Sequence, residues 1–150
     1  MRKICLVLSL LTIVAIATFP DDAVAQTGHS FVGGAMNVTV AASSKIEMFI
    51  STEDDKHFRA KGAFDGIKLF GVFDLYGRKL SQCHEADFCL QFVGAINLGG
   101  MGGWARGTKT TFVLTLAISK SAGTAIGVYH IGPVAGADYT QYGILNLKKK

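Results

Sequence analysis

Five of the seven side chains in Cys83-His84-Glu85-Ala86-Asp87-Phe88-Cys89 could ligate a metal, carry a proton or bond through sulfur. Three chemistries compete for them. Zinc would draw on Cys83, His84, Glu85, Asp87 and Cys89, but zinc ligands come as C-x2–4-C with a second pair elsewhere, and no such second pair appears. A Cys–His nucleophile fits less well, because adjacent residues in extended chain point to opposite sides. A disulfide needs Cα atoms about 4.4–6.8 Å apart. A straight strand would separate these cysteines by about 20 Å, whereas a turn through HEADF brings them within reach. Cys83 and Cys89 are therefore assigned as a structural disulfide, and the segment is given no metal and no catalytic residue.

The other reactive side chains are dispersed. His29, His57, His84 and His130 form no H-x-H or H-E-x-x-H pair. His57 has Asp74 as its expected partner in a surface ion pair. His130 follows Tyr129 at the end of a strand in GVYHIGP. Met101 and Trp104, the only tryptophan, stand in a glycine-rich connection suited to the mouth of a cavity. Trp104, Met101, Tyr129 and His130 make up the candidate ligand-binding set. The stretch GGWARGTKT departs from a phosphate loop by the inserted Thr108, and TKTTFVLTLAIS after it reads as a strand where that motif needs a helix. Glu53-Asp54-Asp55 lacks the alternating spacing of a calcium loop. Asn37-Val38-Thr39 is a glycosylation sequon. No cofactor is implied.

The cysteines are read by compartment. Arg2 and Lys3 precede an apolar run from Ile4 to Phe19, and Ala23 and Ala25 supply a small-residue cleavage site. Residues 1–25 are expected to be a signal peptide cleaved before Gln26, in preference to an anchor for which the run is slightly short. The exported product, periplasmic or secreted, meets oxidising conditions in which paired cysteines are the default. Removing Arg2 and Lys3 together with Asp21 and Asp22 leaves the formal charge at +4. Three of those positive charges are Lys148, Lys149 and Lys150, expected as a basic C-terminal tail (148–150) with weak contact to an anionic surface. The near-neutral remainder excludes a nucleic-acid stripe.

The elements that must position these residues read as strands. KIEMFIS sets Ile46, Met48 and Ile50 on one face. TKTTFVLTLAIS sets Phe112, Leu114, Leu116 and Ile118 against Thr111, Thr115 and Ser119. NVTV, FCLQFVGAINL, AIGVYHI and YGILNL continue the pattern, and no stretch carries a helical stripe. Asp65-Gly66 is expected as a two-residue hairpin turn, pairing Phe64 with Ile67, Gly62 with Leu69 and Phe58 with Phe73, all facing the core. His57 would then oppose Asp74. The fold expected is all-β, a single-domain antiparallel meander over 26–150 closing as an eight-stranded barrel, with a β-sandwich as the alternative.

Such a domain points first to a binding protein for a small apolar or amphipathic ligand or a protein partner, with a homo-oligomer compatible. The alternatives are an envelope structural or adhesive subunit, a small isomerase- or cyclase-type enzyme using His130 or His57, and a small outer-membrane barrel. The last would want an aromatic C-terminal strand end, which LNLKKK does not supply.

Overall fold

The computed structural model describes residues 27–67, 69–99, 108–133 and 140–150. Met101, Trp104, Lys68 and residues 1–25, expected as a signal peptide, lie outside the described residues. Eight antiparallel strands follow in chain order: β1 (Gly28–Asn37), β2 (Ala42–Thr52), β3 (His57–Asp65), β4 (Gly71–Lys79), β5 (Phe88–Leu98), β6 (Thr108–Ser119), β7 (Thr124–Ile131) and β8 (Gln141–Lys149). Each pairs with the next, and β1 pairs with β8 from Phe31↔Lys149 to Asn37↔Gly143, so the sheet closes into the expected barrel and the sandwich alternative falls. Closure leaves no unpaired strand edge.

Alternation drives this arrangement. In β2 and β6 the apolar set named from sequence is buried, Ile46, Met48 and Ile50 in one strand and Phe112, Leu114, Leu116 and Ile118 in the other. The barrel interior is a packed aromatic core. Phe112 lies 5.1 Å from Phe73, 5.7 Å from Phe64 and 5.8 Å from Tyr129, centroid to centroid. Such pairs add about 0.5–1.5 kcal/mol each beyond the burial of their area. Glycines on adjacent strands make room for the rings: Gly62 is opposite Phe73, Gly77 opposite Phe92 and Gly143 opposite Tyr129. A small barrel cannot hold a ring from every inward position, so large side chains lie over small ones.

Three expectations are corrected. The sequence NVTV is not a strand: β1 ends at Asn37 and residues 38–41 form the turn into β2. The real first strand, GHSFVGGAMN, was obscured by its glycines. Gly33 is needed there because a Cβ would strike the β8 backbone at Asn146 and Leu147.

The hairpin register is also different. Phe64 pairs with Gly71, Gly62 with Phe73 and Phe58 with Gly77, so residues 66–70 form a longer connection than Asp65-Gly66 alone. The expected register would have set Phe58 opposite Phe73, two rings in one layer, where the observed one sets each ring against a glycine. The shift is even, so parity survives: Phe64, Leu69 and Phe73 are buried and Phe58 packs on the core. Ile67, expected inside, is 77% exposed.

The lysine end is the third. Lys148 and Lys149 belong to β8, with Lys148 opposite both Val32 and Thr124. They extend the sheet rather than form a free tail.

Candidate functional site at the barrel mouth

The β2–β3 turn, the β4–β5 connection and the β6–β7 turn all open at one end of the barrel, where the core does not reach the rim. A recess of about 550 Å³ remains there. Its walls are Phe31, Ile50, Phe58, Phe88, Leu90 and Ile118. Phe31, Ile50, Leu90 and Ile118 belong to the buried core, and half-buried Phe58 and Phe88 flank them. The rim carries Lys79, Lys120 and Lys149, with His29 and Asp55.

Strand parity puts two of these lysines at the mouth. The inward positions of β4 run Phe73, Leu75, Gly77, Lys79, and those of β8 run Leu145, Leu147, Lys149. Each series is apolar until the wall meets water and then ends in an ammonium. Lys120 follows β6 in the turn. Its Nζ lies 5.2 Å from the centre of the Phe88 ring, and that of Lys79 lies 5.9 Å from the same ring. Cations near an aromatic face are held by the ring quadrupole at about 0.5–1 kcal/mol when exposed.

The cysteine segment builds this side of the mouth. Cys83 and Cys89 sit at disulfide distance, with Cα atoms 5.4 Å apart. The chain turns back through Glu85 at φ 60°, a left-handed conformation uncommon outside glycine. The Leu80 N–H donates to the Cys89 carbonyl (2.9 Å) and the Asp87 N–H to the Ile118 carbonyl (3.1 Å). Asp87 Oδ2 accepts from the Lys120 N–H at 2.5 Å. The loop therefore anchors Phe88 and fixes the turn that carries Lys120. His84 and Glu85 are exposed on it. Among the described residues no three His, Cys, Asp or Glu side chains converge.

Of the ligand set named from sequence, only Tyr129 and His130 are among the described residues, and they face opposite ways. Tyr129 points into the core and is 2% exposed, while its neighbour His130 faces outward with its ring 6.0 Å from Tyr142. Burial pushes the Tyr129 hydroxyl well above its ordinary pKa, and among the described residues its Oη has no hydrogen-bond partner. Met101 and Trp104 lie outside the described residues; Leu98, where β5 ends, is at the end of the barrel opposite the recess. At that far end Asn37 is fully buried and its Nδ2 donates to Gln141 Oε1 at 2.6 Å, so the sequon asparagine is enclosed in the folded barrel.

His57 is not paired with Asp74. Its Nδ1 meets Asp54 Oδ2 at 2.7 Å on the β2–β3 turn, and both side chains are more than half exposed. The N–H groups of Lys56 and His57 donate to Asp54 Oδ1 at 2.8 Å each. The Lys56 N–H first, and then the His57 ring, lower the Asp54 carboxyl to about 2. Asp74 instead accepts a two-pronged bond from Arg59, Nε to Oδ1 at 2.7 Å and an Nη to Oδ2 at 2.6 Å. That bond lowers the Asp74 carboxyl below its ordinary range. Arg59 also lies over Tyr76, 5.0 Å from the ring centre, so a long basic side chain covers an exterior aromatic.

The chain matches no family, no curated protein and no solved structure. The site must speak through its own chemistry.

The exterior is divided. Across β2, β3 and β4 the outward residues include Lys45, Glu47, Arg59, Lys61 and Asp74. Across β7, β8 and β1 they include Met36, Ile126, Val128, Tyr142 and Ile144, each about half exposed. An open groove of about 760 Å³ with no charged residue in its lining runs over this side beside the small residues Gly34, Ala117 and Gly127.

Proposed function

We propose that this chain is an exported small-ligand-binding barrel that takes the apolar part of an amphipathic molecule into the recess at its disulfide end. The observation that carries the reading is a recess of about 550 Å³ whose inner wall is apolar and whose rim is polar and charged. Ligand pockets have this size and lining. Below the recess the aromatic core is filled, so the ligand enters the mouth and not the centre of the barrel. Cys83 and Cys89 at disulfide distance support the oxidising compartment that the leader implies.

The rival readings are weaker. His29 and Asp55 both line the recess, yet among the described residues no hydrogen bond joins them, and the His57–Asp54 pair stands outside on a turn. Acid–base catalysis therefore has no assembled pair at this site. An outer-membrane barrel would turn Lys45, Glu47, Arg59, Lys61 and Asp74 towards lipid, where a cation at the midplane costs about 2–4 kcal/mol. Its interior would also be polar, where this one is aromatic. Assembly with a second copy is favoured by one observation, the groove without charged lining over β7, β8 and β1. Sedimentation of the Val128→Lys/Ile144→Lys variant against the parent tests it: an oligomer that the variant dissolves supports it, and a monomeric parent removes it.

Titration with the neutral fluorophore N-phenyl-1-naphthylamine tests the main reading. One binding site per chain is expected, and Phe58→Ala and Phe88→Ala should each weaken it by roughly tenfold, since each removes aromatic wall worth about 1.5–3 kcal/mol when fully buried. Absence of saturable binding, or binding unchanged in both variants, would refute the recess.

A further inference from the structure

We infer that the recess selects an anionic amphiphile: one apolar chain ending in a carboxylate or phosphate that sits among Lys79, Lys120 and Lys149. This rests on the ligand-binding reading above and adds the head group to it.

Lys79, Lys120 and Lys149 line one recess, whereas the other cations without an ion pair among the described residues, Lys45, Lys56, Arg78, Lys109 and Lys148, do not line it. Arg59 and Lys61 share Asp74, Lys150 reaches Glu47 at 3.9 Å, and His57 has Asp54. Among the described residues, Lys79, Lys120 and Lys149 are in no ion pair. The neighbouring carboxylate of Asp87 accepts the Lys120 N–H through Oδ2 and, among the described residues, forms no ion pair with the three lysines. Among the described residues that line the recess, Asp55 is the only acidic one. Two ammoniums are drawn to one ring, Phe88, although like charges repel. An anion between them would convert that repulsion into attraction. Walls of low dielectric beside a cluster of one sign also focus the field into the opening.

The shape limits the rest of the molecule. Met48, Leu75, Phe92, Leu116 and Leu147, all buried, fill the barrel beneath the recess, and the rings of Phe64, Phe73 and Phe112 close it further in, 5.1–5.7 Å apart. Only a short apolar segment fits above them, which favours a single chain over the paired chains of a bilayer lipid. Ammonium groups are point charges without the planar fork of arginine, so the rim reads charge and does not separate carboxylate from phosphate.

The test is calorimetric titration of the full protein with decanoate, decyl phosphate, decanol and decyltrimethylammonium, each dispersed below its micelle concentration. Decanoate and decyl phosphate should bind about tenfold more tightly than decanol, as a few exposed ion pairs allow, and the cation most weakly. The Lys79→Gln/Lys120→Gln/Lys149→Gln variant should lose that preference while still binding decanol, which shows its recess intact. Equal affinity for decanoate and decanol would overturn the inference and leave the ligand-binding reading standing. Binding of none of the four would overturn both. Inorganic phosphate bound as tightly as decyl phosphate would overturn the role of the chain. Capture by vesicles of anionic lipid without binding of dispersed decanoate would overturn it in favour of a membrane surface.

Discussion

The packing of rings over glycines makes a sharp prediction, because the same substitution should act with opposite sign at two strand glycines. A Cβ at Gly62 would lie 2.6 Å from Phe73 Cζ and 2.8 Å from Met48 Cβ, and would also press on the Glu47 carbonyl. Phe73 is 4% exposed and Met48 3%, so neither can swing into solvent. Gly62→Ala should therefore behave as an overpacked core and cost about 1–3 kcal/mol. At Gly34, on the outer side of β1, a Cβ would meet nothing within 4 Å. Gly34→Ala should gain about 0.4–1 kcal/mol by restricting the unfolded chain.

The two variants thus differ by roughly 1.5–4 kcal/mol. For a domain of this size each kcal/mol moves the melting temperature by about 3–6 °C. Thermal melts followed by circular dichroism should place Gly62→Ala below the parent and Gly34→Ala at or above it. Gly62→Ala melting level with Gly34→Ala would mean that Phe73 does not rest on Gly62. The β3–β4 register, and the inward assignment that follows from it, would then be wrong.

The Cys83→Ser/Cys89→Ser variant should lose about 2.4 kcal/mol in denaturant melts, the chain-entropy value for so short a loop. It should also bind the neutral fluorophore more weakly, because the loop holds Phe88 and the Lys120 turn; unchanged stability and binding would count against the staple. At high pH the sign is set by Tyr129. Its pKa is raised by burial in the folded state, so the unfolded chain loses the proton first. Stability complete below about pH 10 should decline above it, and Tyr129→Phe should flatten that decline in melts taken across the alkaline range.

The fold was legible where side chains are large and local alternation is regular. β2 and β6 announce an inner and an outer face within a single strand, and two such strands with short turns already imply a sheet that must close or stack. β1 announces nothing of the kind, since Gly33 and Ala35 point inward without apolar bulk. Its identity as a strand depends on β8 passing close to Gly33, a contact between opposite ends of the chain. The β3–β4 hairpin shows the same limit from another side. Parity could be read from Phe58, Phe64 and Phe73, because an odd slip exposes all three. The choice between two even registers could not, because it rests on which ring must lie over which glycine once the barrel closes.

The candidate site was hidden for a related reason. Neighbours along a strand face opposite ways, and the rule that separates Cys83 from His84 also separates Tyr129 from His130, so adjacency in sequence does not bring those two side chains to one pocket. The residues that do converge, Lys79, Lys120 and Lys149, are far apart in the chain and share only a position: each stands at or just beyond the end of a strand at the same mouth. A lysine closing an inward apolar series is a signal present in the sequence, since Phe73-Leu75-Gly77-Lys79 and Leu145-Leu147-Lys149 can be written out from alternation alone. What alternation lacks is which strand ends meet at one end of the barrel. Meander topology supplies that, because every second connection opens on the same side. Once the strands are ordered, the three lysines and the disulfide loop must share a rim, and the disulfide that looked purely structural becomes the element holding one wall of the site.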